Sequence, residues 1–126
     1  MSKVLRIGYW AWRGSGWPDV RGHVDETWDE SERLDTVLYL RQGLVARAYL
    51  GPSECRFCGR RNGSLELTDF VYLWPEGLAH YVKDHGVRLP AQFVEHVRAQ
   101  ALAMDELEVD DSWWLGMQTP PWRGSD

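Results

Sequence analysis

The chain has 126 residues, 44% of them hydrophobic, enough for one ordinary globular core and too few for two. Its formal net charge of -5 argues against a general nucleic-acid binder, whose phosphate affinity is built from clustered Lys and Arg, and points to protein partners. No apolar run could span a bilayer, MSKVLRIGYW lacks the apolar core of a secretory signal, and two cysteines cannot make a disulfide framework, so a cytoplasmic protein with reduced thiols is expected.

In chain order, VLRIGYWAW (4 to 12) alternates loosely and is rich in aromatic residues, which predicts a strand, and RGSGWPD then breaks it. Asp29, with Glu32 three residues on, has the form of a capping box. Leu34, Val37 and Leu38 follow at helical spacing until Gly43. LVARAYL (44 to 50) reads as a short strand. After Asn62-Gly63, SLEL (64 to 67) and FVYLW (70 to 74) read as a hairpin turning at Thr68-Asp69. Pro75 suits the first position of a helix, with Leu78, Tyr81, Val82 and His85 on one face and Gly86 as its stop. Pro90 opens a further helix to about Met104, with Phe93, Val97 and Met104 facing inward. DELEVDDSWW (105 to 114) reads as a charged helix end and an edge strand, or as an acidic docking surface, and residues 118–126 as a loose tail. The expected fold is therefore α+β: a single domain over 1–117 with a β-hairpin, about three helices and a zinc subregion near 51–90.

That subregion is suggested by CRFCGRRNG (55 to 63). A catalytic CxxC disulfide would place its first cysteine at a helix start, whereas Gly59 and Asn62-Gly63 favour a turn. Two buried thiols without a ligand are the bland alternative. Metal binding is favoured over both, because two residues between thiolates fold into a knuckle in which both sulfurs reach one ion. A closed zinc site needs four ligands, and no other cysteine exists. The assigned set is Cys55, Cys58, His80 and His85, holding one structural Zn2+. Residues five apart on an ideal helix point about 140° from one another. Either the helix loosens near Asp84 to Gly86, or His96 replaces one histidine, with His23 a distant third.

Cys55-x2-Cys58, a hairpin, and a helix bearing His80 and His85 resemble a C2H2 zinc finger over about residues 55 to 86. The wider pattern CRFCG, NGSLELTD, WPEGLAHYV and HGVRLP is also similar to a small uncharacterised bacterial protein family, a likeness that implies no activity. The 21 residues between Cys58 and His80 exceed the about 12 of the DNA-binding pattern, so the resemblance implies the metal more than the DNA-reading role.

Arg56, Arg60 and Arg61 could contact phosphate, but in an acidic chain they read as a solvated turn. Glu76 could serve as a general acid or base if the metal were catalytic, or simply complement the helix dipole. The H-x-E of zinc deaminases is missing, since His80 is followed by Tyr81 and Val82. Eight tryptophans exceed what one small core holds, so some are expected at the surface, where tryptophan favours binding. The leading expectation is a protein-interaction module, a regulator or inhibitor, with a nucleic-acid-binding regulator second and a zinc hydrolase third.

Overall fold

A computed structural model of the chain describes residues 3–48 and 53–123. Within them lie β1 (Leu5–Arg6), α1 (Glu30–Arg41), β2 (Leu44–Ala48), β3 (Leu65–Thr68), β4 (Tyr72–Pro75), α2 (Leu78–His85), α3 (Ala91–Asp105) and α4 (Ser112–Leu115), with 3-10 turns at Val20–His23 and Pro121–Arg123. The sheet order is β1-β4-β3-β2, with β1 parallel to β4 and the other pairs antiparallel. This is the expected α+β class, with α1 packed on α2 and α3. The strand end at 49–50 and the last three residues of the expected tail lie outside the described residues.

The N-terminal strand is much shorter than the aromatic run suggests. Pairing with β4 stops after Ile7, because Gly8 takes a φ of +78° directly beneath Leu78, where any Cβ would lie within 2.4 Å of that side chain. The chain therefore leaves the sheet, and Trp10 turns inward instead.

Asp29 does cap α1, its carboxylate accepting the Glu32 N–H at 2.9 Å, but Glu32 does not return the bond. The Glu32 carboxylate instead accepts from the Trp28 indole at 2.6 Å and from Arg98 on α3 at 2.8 Å, which ties the start of α1 to its neighbours. On α1 the buried residues are Thr36, Val37 and Leu40, while Leu34 and Leu38 face outward.

The hairpin forms as β3 and β4, with Phe70 and Val71 in its turn rather than in the strand. Pro75 closes β4 and does not open a helix. The Glu76 N–H still bonds Leu65 O, so the ladder runs on past the proline, and α2 begins only after Gly77. α3 follows Pro90 as expected, burying Phe93, Val94 and Val97, but Met104 is exposed. Where an edge strand was expected, Ser112–Leu115 forms one exposed helical turn.

The core gathers Trp10, Trp28, Trp74, Tyr81 and Phe93 with the aliphatic residues of α1, α2 and the sheet. Trp12, Trp17, Trp113, Trp114 and Trp122 are exposed. No helix among the described residues is long and apolar enough to cross a membrane.

Candidate metal centre

The knuckle is carried by a short antiparallel ribbon. Ser53 N donates to Gly63 O, Asn62 N to Ser53 O, and Cys55 N to Arg60 O, each at 2.9 Å. The chain reverses between the cysteines, where Gly59 N closes onto Cys55 O at 3.0 Å and Gly59 itself sits at a φ of +70°. The Phe57 N–H points at Cys55 Sγ, 3.4 Å away, the amide-to-sulfur contact that stabilises a thiolate. Cys55 is buried and Cys58 is exposed.

Two bonds seat this ribbon on α2. The Arg56 N–H donates to the Tyr81 hydroxyl at 2.9 Å, and the Asn62 side-chain amide donates to Gly77 O at 3.1 Å. Gly77 has to be glycine, since a Cβ there would lie 2.3 Å from Asn62 O.

α2 presents the histidines, and its last turn removes the angular conflict of their spacing. The Gly86 N–H bonds Tyr81 O five residues back, and Gly86 adopts the left-handed conformation at a φ of 64°. An i to i−5 closure winds fewer degrees per residue than an α-turn, so His85 swings back toward His80. The two imidazoles then stand 4.9 Å apart, centroid to centroid, with planes at 88°.

One ligand atom from each of Cys55, Cys58, His80 and His85 lies within 4.8 Å of the others. A tetrahedral zinc shell with bonds of about 2.0–2.3 Å has edges of roughly 3.3–3.8 Å, so small side-chain movements close the set. The individual groups suit that use. Cys58 Sγ is already 3.3 Å from His80 Nε2. His80 Nδ1 pairs with Asp84 Oδ2 at 2.7 Å, the carboxylate–imidazole contact that fixes a tautomer and leaves Nε2 free for an ion. His85 Nε2 is buried with no hydrogen-bond partner, and burial, with the neighbouring His80, holds the His85 pKa below its usual value, which favours the neutral ring that a metal requires. Phe57 stacks on it at 4.7 Å. A buried imidazole nitrogen without a partner is costly, and a metal ion would satisfy it. The cluster is compatible with a metal site.

His96 does not belong to this cluster. It pairs with Asp69 Oδ2 at 2.7 Å, and Asp69 also accepts from Tyr39 at 2.5 Å. Burial alone would raise the Asp69 pKa; the hydrogen bonds from Tyr39, the Tyr72 amide, His96 and the Val71 amide outweigh it and hold it below the usual range. His23 rests against Trp10, ring centroids 5.1 Å apart.

Glu76 takes neither expected role: it lies outside α2, and its carboxylate accepts the N–H groups of Ser64 and Leu65 at 2.6 and 3.0 Å, which closes the open end of the hairpin where the knuckle ribbon joins it. Spacing gave no hint of this, since the bond closes across the sheet. Arg56 donates to Ala11 O and Glu54 O, whereas Arg60 and Arg61 are exposed.

No family model, curated protein or solved structure matches the chain.

Proposed function

We propose that the cluster holds one structural Zn2+ and that the chain is a small zinc-stapled protein-interaction module, of the regulator or inhibitor type. The observation that carries the metal reading is the convergence of two thiols and two imidazoles, one of them with a buried nitrogen that lacks any partner. Four such ligands complete a tetrahedral shell and leave no position for a reactive water, and the two acids named beside it are engaged elsewhere, Glu76 with two backbone amides and Asp84 with the far side of the His80 ring. The ion then acts on folding, clamping the knuckle to α2. The interaction reading is supported by the chain's acidity and by the surplus of exposed tryptophan and aliphatic side chains.

Asp84 orients His80 without touching the ion. Asp84→Ala should keep the fold and lower zinc affinity by about 10- to 100-fold, read by competition with a chromogenic chelator. Unchanged affinity would remove Asp84 from the site. For the function itself, the zinc-loaded protein immobilised as bait should retain a discrete partner from lysate, cross-linked and identified by mass spectrometry. Retention of nothing above a resin control would count against an interaction module.

A further inference from the structure

An apolar cleft lies away from the knuckle. A cleft of about 560 Å³ opens between α1, α3 and the β3–β4 turn, its walls formed by Leu38, Leu44, Phe70, Ala101 and Met104, with Trp74 among the residues that line it. This volume suits the insertion of a few large side chains. Leu38, Leu44 and Met104 are all exposed, so α1, β2 and the last turns of α3 present apolar side chains that the core does not cover.

Phe70 singles the cleft out. It is 71% exposed and holds a φ of 72°, and it is the one non-glycine residue with positive φ among the described residues. L residues rarely adopt that region, and a bulky exposed side chain gains nothing there from core packing. The conformation is imposed by its neighbours: Thr68 Oγ1 accepts the Phe70 N–H at 2.9 Å, and Asp69 Oδ1 accepts the N–H groups of Val71 and Tyr72 at 2.9 and 2.7 Å. The turn thus fixes the backbone that presents an exposed aromatic side chain among the residues lining the cleft, the arrangement expected of a binding anchor.

The charges indicate what would bind. Every charged residue lining the cleft is acidic: Asp35, Asp69 and Asp105. Asp69 is engaged by Tyr39, His96 and the turn, while Asp35 and Asp105 form no ion pair among the described residues. From Asp105 the chain continues as ELEVDD, an exposed acidic run next to the cleft in sequence.

We infer that this cleft is the docking surface of the module and receives a short basic amphipathic segment of a partner protein, with large apolar side chains in the cleft and neighbouring Lys or Arg on the acidic rim. This rests on the interaction-module reading above and names its surface and its class of partner. Phe70 is the anchor, and Asp35 and Asp105 set the sign of the charge.

The test is selection of displayed 12-residue peptides on the full-length zinc-loaded protein, followed by affinity measurement on two variants. Phe70→Gly relieves the positive φ, so its melting temperature should hold or rise, while affinity for selected peptides should fall about tenfold or more. Met104→Lys replaces an exposed side chain and should weaken the same peptides through like-charge repulsion. Enriched peptides that combine Leu, Phe or Trp with Lys or Arg, and lose affinity in both variants, are the expected result. Basic apolar peptides that bind wild type and variants equally would overturn the cleft while leaving the module standing. Enrichment of acidic peptides, or of none above background, would overturn the partner class, and the lysate experiment judges the module separately. A Phe70→Gly protein that melts lower would show the ring to be structural and remove it as the anchor.

Discussion

Chelation of zinc from the purified protein should lower its melting temperature by about 15 °C and release the knuckle from α2. The magnitude follows from linkage: a ligand at a thousandfold excess over its Kd stabilises the folded state by about 4 kcal/mol, and a domain of this size shifts by about 3–5 °C per kcal/mol. The direction follows from how the knuckle is attached. Its ribbon buries only Cys55 in the core, so the protein-only ties to α2 are the Tyr81 and Gly77 hydrogen bonds and the packing of Phe57 on His85 and Tyr81. Each such bond is worth only about 1 kcal/mol. Without the ion, the His85 nitrogen returns to being a buried unpaired group and the widened last turn of α2 loses its reason to persist. Mass spectrometry of the native protein should find about one zinc per chain, and Cys58→Ala or His80→Ala should abolish it. Acidification should release the metal, since thiols and imidazoles bind it only when deprotonated. A folded protein without zinc, melting at the same temperature with and without chelator, would refute the structural site and every function built on it.

The parts of this arrangement legible in the sequence are those set by local chemistry. Asp29 before a helical pattern, Gly86 after one, and two cysteines around two residues each fix the backbone within a few positions, and the structure places all three as expected. The histidine pair was legible as a spacing, but its convergence depended on a widened turn that no periodicity reveals. What failed were features decided across the fold. Pro75 has a φ that suits a helix start or a strand end equally, and the Glu76 bonds to Ser64 and Leu65 settle it for the strand. Gly8 reads as one more strand residue until Leu78 is packed over it. Met104 lies on the same helical stripe as Phe93 and Val97, yet α3 extends beyond the body that could cover its last turns. The acidic segment after it alternates at Leu107 and Val109, but both stay exposed and no described strand pairs with it, so the alternation has no sheet to join.

Trp74→Ala should be the most damaging single substitution outside the metal ligands. Trp74 is 0% exposed on β4, with ring contacts to Tyr39 at 6.1 Å and Phe93 at 6.0 Å. Its indole N–H donates to Leu40 O at 3.0 Å, and that carbonyl belongs to the last turn of α1, where the helix cannot satisfy it. One side chain thus joins the sheet to α1 and α3 and caps α1. Gly43 is shaped to it, since a Cβ there would lie 2.7 Å from the indole ring. Truncation of a buried Trp costs about 3–5 kcal/mol, and stranding a buried carbonyl adds about 1–3 kcal/mol, against a total stability of about 5–15 kcal/mol for a domain. Trp74→Ala should therefore melt at least 15 °C lower or not fold, whereas Trp74→Phe, which keeps a ring but loses the donor, should lose about 1–3 kcal/mol. The metal site should register the same damage. Only Pro75, Glu76 and Gly77 separate Trp74 from α2, so a shift of β4 moves both histidines relative to the cysteines. Zinc titration of Trp74→Ala at low temperature, followed by circular dichroism, should show weaker binding coupled to recovery of structure. Tight binding to an otherwise unfolded Trp74→Ala chain would mean that the four ligands form a self-sufficient finger, independent of the core that here positions them.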